Sequence, residues 1–130
     1  MAPSLHQSLL MVSDLDASVA FYRDVIGLDV SQKKESNVEF ETGESTLVLE
    51  EDFPDDVLED FGLPHPGEDR GNGVIVVLDV DTPEHVDDTI ERIGDAGYEI
   101  RMEPRDVPWG RRMALVADPD RYTVEISAPQ

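Results

Sequence analysis

Three histidines, thirty carboxylates and one tryptophan hold most of the chemistry open to this 130-residue chain, because it contains no cysteine. Disulfides, thiolate metal sites and cysteine nucleophiles are thereby excluded, which leaves His, Asp and Glu for any metal. His6, His65 and His85 stand at no metal-ligand spacing, and the sequence places no serine or acid partner beside any of them. A nucleophilic triad, which needs nucleophile, base and orienting acid within hydrogen-bond reach, has no support. Trp109 lies in a Pro108-Trp109-Gly110 turn just before a strand, where an aromatic plate can stack on a flat ligand or simply pack against its neighbours.

Acids outnumber bases 30 to 10, for a formal net charge of −20. A charge of that sign repels nucleic-acid backbones and anionic lipids, so neither is expected as a partner. The acids are spread along the whole chain while lysine is confined to Lys33 and Lys34, which reads as a solvated acidic surface and not as a pocket for a cation. Such a surface resembles that of proteins from salt-loving organisms, where molar salt shrinks the Debye length to about 3 Å and suppresses self-repulsion. Apolar runs such as Val74 to Leu78 are too short to span a bilayer, and the N-terminus lacks the basic flank and apolar core of a signal peptide, so a cytoplasmic protein is expected. With 39% hydrophobic residues the chain has enough apolar content for a core, and its length predicts one domain, 1–130.

The elements that must position any site come in two similar sets. Leu5 to Val12 reads as a strand, and Leu15, Val19, Tyr22 and Ile26 recur at helical spacing, with Asp16 as a cap and Gly27 as the stop. Phe21 and Tyr22 belong to the face that meets the sheet. Short strands follow near 29–33, 38–41 and 46–50, the last two joined by a Thr42-Gly43-Glu44 turn, which closes a first βαβββ module over residues 5–50. A second module, 74–128, repeats the order: a strand over 74–80, a helix with Thr82 as cap, Pro83 in its first turn and Val86, Ile90 and Ile93 on one face, a stop at Gly97, then strands near 98–102, 111–117 and 122–127. The two strand-to-helix junctions are alike, which points to an internal duplication. Between the modules, residues 51–73 form an acidic connection rich in Pro and Gly, with a short helix around 57–61. It either covers a pocket, using Phe53, Leu58, Phe61 and Leu63, or runs over the surface.

On these motifs the chain resembles the vicinal oxygen chelate superfamily, which includes glyoxalase I, bleomycin-resistance proteins and extradiol dioxygenases. The resemblance is carried by Val12-Ser13-Asp14-Leu15-Asp16 with Ser18, Phe21-Tyr22-Arg23-Asp24 and Ile26-Gly27-Leu28 in the first module, and by Pro108-Trp109-Gly110-Arg111, Asp118-Pro119-Asp120 and Val124-Glu125-Ile126 in the second. It implies an α+β fold in which two βαβββ modules form an open, barrel-like mixed sheet with helices packed outside. It also implies a homodimer with a pocket where one half faces the other half of a partner chain. One departure is Arg121, which follows Asp118-Pro119-Asp120 where the family usually has Gly; a left-handed backbone there would cost about 1 kcal/mol.

Superfamily members that hold a divalent ion place four ligands on the first and last strands of each module. Carried across position by position, these fall on Gln7, Val48, Ile75 and Glu125. Gln7 and Glu125 could coordinate, whereas Val48 and Ile75 cannot. Because strands alternate faces, a two-residue slip would bring Glu50 onto the face of Val48, and Asp79 shares the face of Ile75. Gln7, Glu50 and Glu125 are therefore the weak metal candidates, and no metal or other cofactor is expected. The resemblance then implies a small-molecule-binding protein whose ligand meets Gln7, Leu9, Met11, Val48, Glu50, Ile75, Val77, Trp109 and Glu125. The alternative is a metal-dependent lyase or dioxygenase, in which one nickel, zinc, manganese or iron ion polarises vicinal oxygens and Glu125 acts catalytically by moving a proton. A dimeric module without a small ligand is the third possibility.

Overall fold

The computed structural model describes residues 2–67 and 70–130. By contact density the chain divides into two compact units, Met1–Pro66 and Gly67–Gln130. The division falls inside the connecting segment, so its first part belongs to the first unit and its last residues to the second.

The first unit is a four-stranded sheet in the order β1-β4-β3-β2, formed by β1 (Ser8–Val12), β2 (Asp29–Lys33), β3 (Asn37–Thr42) and β4 (Ser45–Glu51). β1 runs parallel to β4, and the other neighbours are antiparallel. Leu10 and Val12 of β1, Val38 and Phe40 of β3, and Leu47 and Leu49 of β4 are all buried, as the period-two alternation of a one-sided sheet requires. The helix that follows β1 begins as α1 (Leu15–Val19) and is wound as a π-helix from Ala20 to Ile26. In that wider winding Phe21 and Tyr22 are both fully buried, their rings meeting edge to face at 4.9 Å, and Tyr22 lies 6.2 Å from Phe40 on β3. Gly27, at φ 98°, ends it. The cap is Asp14 and not Asp16: the Asp14 carboxylate accepts from the Ala17 N–H at 3.1 Å, while Asp16 sits in the first turn, where its charge favours the N-terminal end of the dipole.

Past β4, α2 (Asp55–Phe61) starts earlier than the sequence suggests and stops at Gly62. Leu58 is buried in this unit and Phe53 packs on Phe61 at 5.9 Å, so two of the four apolar residues predicted to serve a lid are used locally, while Phe61 and Leu63 remain exposed.

The second unit repeats the plan with β5 (Ile75–Asp79), β6 (Ile100–Val107), β7 (Arg111–Ala117) and β8 (Thr123–Pro129) in the order β5-β8-β7-β6. α3 (Pro83–Asp95), capped by Thr82 through the His85 N–H, buries Val86, Ile90 and Ile93 and packs on β6, β7 and β8. Arg112 clamps it to the sheet, gripping both carboxylate oxygens of Asp87 at 2.8 Å and Asp106 at 3.1 Å. β6 runs five residues beyond the predicted end because it is an edge strand: Pro104, which has no N–H to give a ladder, is tolerated there, and the register shifts on both sides of Met102. Each unit is thus a mixed sheet, with α1 packed at β4 in the first and α3 packed on β6, β7 and β8 in the second, and neither sheet closes on itself. No helix among the described residues is long and apolar enough to cross a membrane.

Candidate ligand-binding site

Alternation decides which side chains are left for the sheet face opposite α1 in the first unit and opposite α3 in the second. In the first unit the β1–β4 register sets Leu9 beside Val48 and Met11 beside Glu50, and the β3–β4 register continues these rows to Glu39 and Asn37. Val48 is only 3% exposed although it lies opposite in parity to the helix-facing core, whereas Leu9 is 43% exposed. Glu50 is half-buried, and its carboxylate accepts from the Asn37 side-chain amide at 3.2 Å. Gln7 immediately precedes β1 and is half-buried.

In the second unit Ile75, Val77 and Asp79 of β5 pair with Thr123, Glu125 and Ser127 of β8, and Glu125 pairs on its other side with Leu115 of β7. Glu125 is therefore a half-buried carboxylate set between two aliphatic side chains. Ile75 and Val77 are 52% and 55% exposed, an apolar strip on an edge strand. Asp79, which shares their face, does not stand alone: Arg111 of β7 donates to it and also to the Ser127 hydroxyl at 3.1 Å. At the opposite end of the strip, an open depression of about 420 Å³ lies between residues 71–74 and the sheet, within the usual size range of small-molecule sites.

The sequence-predicted residues therefore fall into two groups, one on each unit. Leu9, Met11, Val48 and Glu50 share a face of the first sheet, and Ile75, Val77 and Glu125 share a face of the second. Trp109 stands apart, 68% exposed in the turn before β7 and not among the residues lining the depression. The histidines are exposed, and His65 lies 3.4 Å from Asp55. Sequence reasoning missed Arg111, Ser127, Arg101 and Asn72. Arg111 was visible only as the last residue of the Pro-Trp-Gly-Arg stretch, with nothing to say which strand its guanidinium would reach.

The four positions carried over from metal-holding superfamily members place one potential donor and one donor-free side chain in each unit. Among the described residues no three His, Asp or Glu side chains come together closely enough to hold a metal ion.

A sequence profile of the Glyoxalase/Bleomycin resistance protein/Dioxygenase superfamily matches residues 4–126. The chain is 30% identical over 130 aligned residues to a probable lactoylglutathione lyase from Synechocystis, covering 94% of this chain and 92% of the relative. It is 31% identical over 126 residues to a probable lactoylglutathione lyase from Vibrio cholerae, covering 92% and 86%. Among solved structures, a glyoxalase/bleomycin resistance protein/dioxygenase from Nocardioides superposes with a TM-score of 0.75 at 28% identity, over 99% of this chain and 85% of that one. A family enzyme from Burkholderia phytofirmans superposes with a TM-score of 0.82 at 22% identity, over 98% and 100%, a likeness of fold.

Proposed function

The chain belongs to the Glyoxalase/Bleomycin resistance protein/Dioxygenase superfamily, and from that premise we propose that it is a metal-independent member that binds a small molecule against the helix-free faces of its sheets and works as a homodimer. The observation that carries this reading is the chemistry of two strand positions: Val48 and Ile75, onto which the family resemblance carries two of the four metal-ligand places, have no donor atom. A divalent ion gives up hydration only for several O or N donors at about 2.0 to 2.2 Å. The donor set here does not fit that requirement: Val48 and Ile75 bring no donor, and among the described residues no three His, Asp or Glu side chains lie close enough together to hold an ion. What remains is an apolar strip with one carboxylate in it, a surface suited to an amphipathic organic ligand. Its open β5 edge and exposed Ile75 and Val77 are surfaces that a second copy could cover.

A second reading is favoured by the relatives. Two probable lactoylglutathione lyases match nearly the whole chain at 30% and 31% identity, and Glu125 is a half-buried carboxylate available to move a proton. Metal analysis after dialysis against nickel, zinc, manganese or iron(II) salts, combined with an assay for lactoylglutathione formation, separates the two. The binding reading expects substoichiometric metal and no turnover. One ion per chain, lost together with turnover in Glu125→Ala, would replace it with the lyase reading. Light scattering on the same sample should give twice the 14.5 kDa chain mass.

A further inference from the structure

One wall of the 420 Å³ depression is built by the end of the connecting segment, which is fastened to the β7–β8 turn. Gly71 lies so close to that turn that a Cβ on it would sit 2.7 Å from the Tyr122 Cα, so no larger residue fits. Arg70 lies 3.6 Å from the buried Asp120 carboxylate. The turn is itself held by Asp118, whose carboxylate accepts from the Asp120 and Tyr122 N–H groups at 2.9 Å each. The depression is therefore preformed, which lowers the ordering cost of filling it.

Its lining divides cleanly by chemistry. Val74, Ile75 and Leu115 supply an apolar floor, with Val74 and Ile75 more than half exposed, while Arg101, Asn72 and Thr123 supply polar groups. In a chain with three acids for every base, the described lining contains no carboxylate and one guanidinium. The contrast within the same unit is sharp, because the groove between α3 and β6 is lined by Asp87, Glu91, Asp95 and Glu103. Arg101 is steadied by donating to the Arg121 carbonyl at 3.2 Å, with its Nε 3.6 Å from Glu99. Glu99 is shared with the Arg121 guanidinium at 3.1 Å, while the nearby Asp118 and Asp120 carboxylates are taken up by the turn's own N–H groups and by Arg70, so Arg101 is the charged side chain that lines the depression itself. A guanidinium has five N–H donors in a planar fork that matches a carboxylate, and the Arg121 carbonyl occupies one of them.

The geometry points to an amphipathic monocarboxylate as the ligand class, its carboxylate on Arg101 and within reach of Asn72 and Thr123, its short apolar chain over Val74, Ile75 and Leu115. This rests on the reading that the open face of the second sheet receives the ligand. Glu125, two residues along β8 from Thr123 on the same face, limits the anion to the Arg101 end.

The test is a titration of the full-length protein with hexanoate, 1-hexanol and hexylamine, followed by methyl NMR of Ile75, Val74 and Leu115. It is run with a chelator present and at 0.15 M salt, where charges farther than about 8 Å are screened. Hexanoate should give saturable shifts at Ile75 with an affinity at least about tenfold above hexanol, and hexylamine should give none. Arg101→Gln should abolish the preference for hexanoate over hexanol, and Arg101→Lys should keep part of it, with the remaining methyl spectrum unchanged in both as the check on folding. Equal binding of hexanoate and hexanol, or a preference that survives Arg101→Gln, would overturn the carboxylate assignment while leaving an apolar site in place. Failure of all three probes to move Ile75 would overturn it as well. Because the chelator removes metal, none of these outcomes depends on the metal analysis that decides the binding reading itself.

Discussion

Arg111 on β7 reaches diagonally over β8 to the Asp79 carboxylate at the end of β5, donating on the way to the Ser127 hydroxyl at 3.1 Å. One guanidinium thus ties three neighbouring strands of the second sheet on its helix-free face. It also pairs with a carboxylate that sequence parity had placed on the face of Ile75, which leaves Glu125 as the acid within the apolar strip.

Removing that tie should cost stability. Ser127 is fully buried, and Arg111→Met would leave its hydroxyl without this partner, a loss of about 1 to 3 kcal/mol. Asp79→Asn should cost less than about 1 kcal/mol because the Asp79 side chain is 67% exposed. Urea unfolding of the two variants measures the difference, and equal losses would mean that the ion pair and not the Ser127 bond carries the effect.

The turn after Asp118-Pro119-Asp120 holds Arg121 at φ 70°, the one non-glycine residue with positive φ among those described. Left-handed backbone at a side-chain-bearing residue costs about 1 kcal/mol, and the exposed Arg121–Glu99 ion pair offsets at most part of it. Arg121→Gly should therefore be more stable than Arg121→Ala by about 1 kcal/mol, because both lose the ion pair and only one relieves the backbone. Thermal melts of the pair read this directly.

Arg112 pulls the Asp87 carboxyl below its ordinary value, first through its hydrogen bonds and then through its charge. A carboxylate shifted downward on folding adds stability that is present above its unfolded pKa, near 3.8, and is lost as pH falls through the lower folded value. The stability gap between wild type and Asp87→Asn should thus be constant above about pH 5 and shrink below about pH 4, with a plateau of no more than about 1 kcal/mol because the side chain is 46% exposed. A gap that widens on acidification would contradict the assignment.

With a formal net charge of −20, the folded chain repels itself, and added salt should relieve that repulsion. The melting temperature is expected to climb between 0.1 and 2 M potassium chloride. A flat or falling profile would remove the salt-adapted reading of the surface.

How far these features were legible depends on the range of the interaction that makes them. The order of strands and helices follows from local alternation, so Leu10 and Val12 against Leu9 and Met11 could be sorted by face from sequence, as could Glu50 with Val48. Thr82 and Pro83 mark the start of α3 because cap chemistry is local. The same chemistry misled at the first helix, where the sequence alone points to Asp16 as the cap and the geometry at Ala17 selects Asp14 two residues earlier. The full length of β6 was hidden by Pro104, which reads as a breaker until the strand is known to be an edge. At the site, the reach of Arg111 across a strand and the aim of Arg101 through the irregular register of β6 are set by long side chains and tertiary pairing, and no motif reports them.

The central claim is that the open sheet faces serve an organic ligand and not an ion. A crystal structure of the full-length protein grown with nickel chloride, with anomalous data collected at the nickel edge, tests it most directly. The account predicts no nickel peak near Ile75 and Glu125. An ordered ion bonded there by the Glu125 carboxylate and further side chains of the protein would contradict it.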